Sequence, residues 1–343
     1  MPFEIIDSSY IHLPVDALVV FANPMLQVET NLSNKVFQVA GMESVKKACL
    51  TLAPVPLGQA VATPGFDLPA QYIIHTASPH YYDGKSGEIE VLRYSYLNSL
   101  KLATKLECNS VAFPLISTGS FSFPIEESFR IGSEVIKEYL EENEMTVYLS
   151  LFDRKVVAPV RRLGDAQERA FYERLKRFDR DSSESNMPPG LFQLAKDVVA
   201  EGPAPAFRVE SQRPSTRTDL KNYLGNQDET FQQTLLKLID TSGKTDPHIY
   251  KKANLTRQHF AKIRANPHYM PNKATVLALA IALELDVAQT KDLLARAGYA
   301  LSRAIKFDLI VEYFLKRRRY DIYRINEMLF YYDQPLLGSQ VRD

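Results

Sequence analysis

The first half of the chain alternates between short apolar runs and longer stretches whose apolar residues recur every three or four positions. The runs Phe3–Ile6, Ala17–Phe21, Gln59–Ala62, Tyr72–Thr76, Ser110–Leu115 and Thr146–Phe152 predict strands. The periodic stretches Asn34–Leu50, Ile89–Leu106 and Pro124–Glu142 predict helices, and a further helix over Val160–Phe178 closes the region. Strands alternating with helices predict an α/β sandwich with a largely parallel or mixed sheet, whose ligands sit at the carboxyl ends of strands. The composition then changes. Arg180–Gly190 is rich in Ser and Pro, and after a short helical pattern at Leu191–Val199 comes more Pro-rich sequence, where Phe192 and Phe207 are candidates to dock on a folded neighbour. From Glu229 onward the periodicity is helical throughout, with segments Asp246–Ala253, Thr256–Asn266, Asn272–Leu285 and Val287–Ala297. The expected organisation is an α/β domain over 1–178, a Pro/Ser-rich linker over 179–228 and an all-α C-terminal domain over 229–343.

Candidate chemistry concentrates at Phe113–Pro124. An apolar run ends in Ser117-Thr118-Gly119, and Pro124 opens a helix with Ile125, Phe129, Ile131 and Val135 on its apolar side and Ser122 as a cap candidate. A turn between strand and helix leaves N–H groups unpaired beside the positive end of a helix dipole, which suits a phosphate or pyrophosphate.

Three segments in order extend this reading: Asp16–Asn23 running without a gap to Gly41, then Gly58–Pro79, then Phe113–Pro124. Together they resemble the macrodomains, ADP-ribose-binding modules that commonly read D-A-I-V-N-A-A-N and F-P-x-I-S-T-G-x-x-x-[FY]-P at the first and third of these. The resemblance implies a three-layer α/β sandwich with a mixed sheet, a ligand of ADP-ribose or a related NAD-derived nucleotide, free or on an ADP-ribosylated macromolecule, and no required cofactor. It implies that Asp7 accepts the adenine amino group, although a gapless register puts Ser9 there. Asn23 would orient the distal ribose, an amide being able both to donate and to accept. Ser117, Thr118, Gly119, Ser120 and Phe121 would wrap the pyrophosphate through backbone amides, with Phe121 covering the distal ribose. Phe152 would stack on adenine.

The first ligand loop departs from the family. Hydrolytic macrodomains carry a glycine run followed by Val-Asp-Gly, whereas the gapless register here gives Val28–Asn31 and then Leu32-Ser33-Asn34. The catalytic aspartate position falls on Ser33, no carboxylate at neutral pH, and the earlier asparagine falls on Val20. Phe37 and Gln38 occupy the stretch where another hydrolase type has a nucleophilic lysine; Lys35 is out of register. A non-catalytic reader is therefore expected ahead of an enzyme. The alternatives are a hydrolase using Glu29, the carboxylate in the altered loop, and an antitoxin-like or defence adaptor with a vestigial pocket.

Toward the C-terminus, a short helix, a turn at Asn254-Leu255 and a second helix capped by Thr256 precede an apolar helix from Lys273. Asn suits the left-handed conformation of such a turn. Residues 230–300 resemble lambda-repressor-like helix-turn-helix domains. That implies Thr256, Arg257, Gln258 and His259 at base edges and Lys262 and Arg264 near phosphates; the bland reading is a bundle that packs on the α/β domain or binds a protein. Asp286 and Gly298 read as a helix cap and a helix stop. The amphipathic extension Phe307–Leu337 is a candidate dimerisation or partner surface, and Lys316–Arg319 reads as the solvated end of a helix ahead of a phosphate site.

Charge adds little direction, since 41 Lys and Arg balance 41 Asp and Glu, and no overall field draws nucleic acid or membrane. Two cysteines, Cys49 and Cys108, and six histidines make no metal spacing, and the thiols suit a reducing cytoplasm. No signal peptide or membrane span is expected.

Overall fold

A computed structural model describes residues 2–7, 9–151, 175 and 229–338 of the chain. The readings placed on the Val160–Phe178 helix, the linker and Phe152 lie outside the described residues. The described residues of Met1–Pro159 and Phe231–Asp343 pack as one unit.

Six strands make one sheet: β1 (Phe3–Ile6), β2 (Ala17–Ala22), β3 (Ala60–Pro64), β4 (Tyr72–Ala77), β5 (Ser110–Phe113) and β6 (Thr146–Ser150). The order is β1-β6-β5-β2-β4-β3. Every neighbouring pair is parallel except β3 with β4, so five strands end on the same edge. β2 is buried along its whole length. Its Ala17, Val19 and Phe21 pack on one side with helices α3 (Glu88–Lys105) and α4 (Ile125–Glu142). Leu18, Val20 and Ala22 pack on the other with α1 (Asn31–Ala40) and α2 (Met42–Leu52). A strand covered on both faces reads as an unbroken apolar run, as this one does.

Where one helix was expected over Asn34–Leu50, there are two, broken at Gly41 with φ 95°. The first starts earlier because Thr30 and Ser33 form a capping box. At α4, Ser122 is not the cap: it sits in the preceding turn at φ 62°, and Pro124 holds the cap position without a side-chain bond. Ile125, expected on the apolar side, is 49% exposed, while Phe129, Ile131 and Val135 are buried.

The C-terminal region is helical: α5 (Phe231–Ser242), α6 (Asp246–Lys252), α7 (Arg257–Ala265), α8 (Lys273–Ala282), α9 (Val287–Arg296), α10 (Lys306–Lys316) and α11 (Ile322–Tyr331). α8 is buried from Thr275 to Ala282 and forms the centre. The local signals act as the chain order suggests. Thr256 accepts the His259 N–H, Asp286 makes a capping box with Gln289, and Asn254 and Gly298 take φ 55° and 75°. The basic run begins at the end of α10, where Lys316 pairs with Glu312 at 3.1 Å and Arg317 lies over the Tyr313 ring.

The helices close the β1 edge of the sheet. The Asn254 side chain accepts the Phe3 N–H at 2.8 Å and donates to the Phe3 carbonyl at 3.2 Å, supplying at this residue the two bonds that a neighbouring strand would make. Tyr250 donates to Glu144 at 2.6 Å and Lys251 to the Glu141 carbonyl at 2.7 Å. Phe330 joins the core beneath α4, with Tyr323 and Leu336 against it. No helix among the described residues is long and apolar enough to cross a membrane.

Candidate ligand site

Three loops meet at the shared carboxyl edge. The one following β5 is held from below: Tyr96 accepts the Ile116 N–H at 3.0 Å, and Ser128 of α4 donates to the Ile116 carbonyl at 2.8 Å. Gly132 makes room for this, because a Cβ there would lie 2.6 Å from the Tyr96 ring. Burial pushes the Tyr96 hydroxyl up to about 12, so it remains a neutral anchor.

Above that anchor the chain turns sharply, with φ 63° at Ser117, 68° at Gly119 and 62° at Ser122. Thr118 Oγ1 donates to the Leu115 carbonyl, Ser122 N–H to that of Gly119 and Phe123 N–H to that of Ser117. The N–H groups of Ser117, Gly119 and Ser120 reach no protein acceptor among the described residues. Ser117 is fully buried and its hydroxyl has no hydrogen-bond partner among the described residues. Gly119 and Ser120 are exposed, and a Cβ on Gly119 would touch nothing within 4 Å, so the space above the turn is open. Exposed amides just ahead of a helix favour an anion.

Phe121 is fully buried. His80 stacks on it at 4.0 Å between ring centroids and 17° between planes, and Phe21 meets it edge-on at 5.3 Å. His80 belongs to the loop after β4, which Tyr81 ties to the turn by donating its N–H to the Phe121 carbonyl. Glu88 closes that loop by accepting the N–H groups of Tyr82, Asp83, Gly84 and Ser86. Its own backbone N–H, then those of Asp83, Tyr82 and Gly84, hold its carboxyl down at about 2 against the opposing cost of burial. Nothing in the sequence around His80 singled it out; its place just past the end of β4, on the edge shared with Asn23, was the available signal.

In the first loop, Asn23 follows β2 directly. It donates to Gln27 at 3.0 Å and to Glu29 at 2.5 Å, and accepts the Gln27 N–H at 3.1 Å. Asn23 and Glu29 are thus brought together. Ser33 is buried in the capping box with Thr30. Asp7 is exposed just past β1, on the same edge of the sheet.

Of the side chains expected at nucleic acid, Thr256 caps α7 and the others lie on it, with Arg257, Gln258, Lys262 and Arg264 exposed. Arg264 pairs with Asp246, Lys262 lies over the Tyr269 ring at 4.8 Å, and His259 Nε2 is 3.3 Å from the Tyr269 hydroxyl. His75 is a fully buried core residue against Thr63 at 2.9 Å, its pKa lowered by burial to about 4. No group of potential metal ligands occurs among the described residues.

An anion-ready turn at the carboxyl edge of a mixed α/β sheet defines a class, that of phosphate- and nucleotide-binding modules. The Macro domain family model matches residues 20–132. A macro domain-containing protein of Methanosarcina mazei is 37% identical over 153 residues, 44% of this chain and 81% of that protein. The O-acetyl-ADP-ribose deacetylase of Shigella flexneri serotype 5b is 32% identical over 158 residues, 44% of this chain and 89% of that protein. Among solved structures, a variant of the Oceanobacillus iheyensis macrodomain with ADPR matches with TM-score 0.43 and 30% identity, covering 45% of this chain and 87% of that one. The chain belongs to the Macro domain family through its N-terminal α/β region.

Proposed function

We propose that the α/β region binds ADP-ribose or a related NAD-derived nucleotide without turning it over, and that the helical region reports occupancy. The observation that carries binding is the turn at Ser117–Ser120, where the N–H groups of Gly119 and Ser120 lack protein acceptors among the described residues at exposed positions and the space above Gly119 is open. Family membership supports it, as does the relative named for its action on O-acetyl-ADP-ribose. In this reading the turn holds the pyrophosphate, Asn23 orients the distal ribose, and Asp7 and Phe152 recognise adenine. Ser33 is committed to a helix cap, which favours a reader over a hydrolase. Calorimetry of the full chain with ADP-ribose tests binding, and mass spectrometry of the recovered nucleotide tests turnover. One-to-one binding with intact ligand is expected; absence of binding contradicts the reading.

A second reading rests on the Asn23–Glu29 hydrogen bond, which sets a carboxylate beside the ribose-orienting amide. In that case the protein is an ADP-ribosyl hydrolase with Glu29 as base. Incubation with a mono-ADP-ribosylated protein decides between them: turnover lost in Glu29→Gln establishes the hydrolase, and no turnover leaves the reader.

The reporter role rests on connectivity. β1 and α4 begin or end at the candidate site, and their opposite ends hold α6 and its turn. A partner would meet α7, through DNA or a protein surface. Residues 229–343 carry 18 Lys and Arg against 12 Asp and Glu, which gives this region a positive balance that the whole chain lacks. The domain limits 1–178, 179–228 and 229–343 and a cytoplasmic location belong to the same proposal. Fluorescence anisotropy with random duplex DNA, with and without ADP-ribose, tests the partner: a ligand-dependent change is expected for DNA, and none points to protein.

A further inference from the structure

The macrodomain resemblance gives Phe121 the task of covering the distal ribose, but the Phe121 side chain has no surface to offer. It is fully buried, stacked under His80 on one side and met by Phe21 on another. His80 lies outermost in this stack and is exposed. The loop that carries it is built on both sides. Before it, Ser78 N–H donates to the Ala22 carbonyl at 3.0 Å, next to Asn23; after it, Tyr81 N–H donates to the Phe121 carbonyl at 2.9 Å. Four N–H groups converging on Glu88 then close residues 82–86 into a turn.

We infer that His80 replaces Phe121 as the side chain that contacts the distal sugar of the ligand, the ribose that ADP-ribose has and ADP lacks. The inference rests on the nucleotide-binding reading above. Its chemistry is that of an imidazole with one face on an aromatic ring. The stack fixes the ring plane, and the two ring nitrogens, which have no hydrogen-bond partner among the described residues, stay available for hydroxyls. Phenylalanine offers a ribose only packing; histidine adds a donor or an acceptor and so selects among distal groups.

The test compares ADP-ribose with ADP by calorimetry on the full-length wild type, His80→Ala and His80→Phe, with melting temperatures recorded for each. Both variants are expected to bind ADP within about twofold of wild type and ADP-ribose about fivefold or more weakly, with His80→Phe melting as wild type does. A residue that merely covers Phe121 gives a different pattern: His80→Ala loses both nucleotides alike, and His80→Phe restores both. That pattern, unchanged ADP-ribose affinity in His80→Ala, or a wild type that binds ADP as tightly as ADP-ribose overturns the inference. A wild type that binds neither nucleotide overturns the underlying reading and this inference with it, and is distinguished by appearing before any substitution is made.

Discussion

Single residues in this chain carry their chemistry through where burial leaves them. Glu4, on the edge strand, has a carboxyl oxygen with no hydrogen-bond partner among the described residues, and burial raises its pKa from 4.5 to about 7. The folded state therefore holds this proton more tightly than the unfolded chain. The resulting stability is complete below about pH 4.5 and is lost as the pH rises through 7. Glu4→Gln should melt with the wild type at pH 4 and above it at pH 8, by on the order of 2 kcal/mol; calorimetric melting at the two pH values checks this, and an equal difference at both would contradict it. Gly119 is a second case. A Cβ there meets nothing in the protein, so Gly119→Ala should cost only the strain of φ 68°, about 1 kcal/mol in urea unfolding. If the turn receives a pyrophosphate, nucleotide affinity falls by more than that cost accounts for. At this scale the sequence was legible for caps, since Thr256 and Asp286 act locally and obey local rules. It was not legible for Phe121: a motif names the residue type, while its burial depends on His80, 41 positions away.

Secondary-structure elements were legible wherever periodicity and burial coincide. β2, β4, α3 and α7 lie within a residue or two of their expected bounds, because their apolar faces meet a core directly. The break at Gly41 was missed, since the apolar period continues across it and only the backbone reverses. The clip between Asn254 and Phe3 was beyond any local reading, joining residues 251 apart. What the sequence did show was that Asn254 suits a left-handed turn; it did not show what the side chain would then reach. Asn254→Ala leaves the Phe3 N–H and carbonyl buried without partners, at a cost of about 1–3 kcal/mol. Urea unfolding of the full chain should register that loss, and hydrogen exchange at Phe3 should accelerate. Unchanged exchange there would mean that the edge is closed by something other than this side chain.

For the molecule as a whole, the claim is that one unit holds a nucleotide site at one end of β1 and α4 and a helical module at the other. Coupling between them is reciprocal if it exists. ADP-ribose should slow hydrogen exchange in α6 and α7, and Asn254→Ala should weaken ADP-ribose binding; exchange unchanged on saturation would make the helices a fixed cap without a reporting role. The measurement that bears most directly on the account is a crystal structure of the full chain with ADP-ribose. Diphosphate oxygens are expected about 3 Å from the amide nitrogens of Gly119 and Ser120. A nucleotide seated elsewhere, or that turn filled by the protein's own side chains, would contradict it.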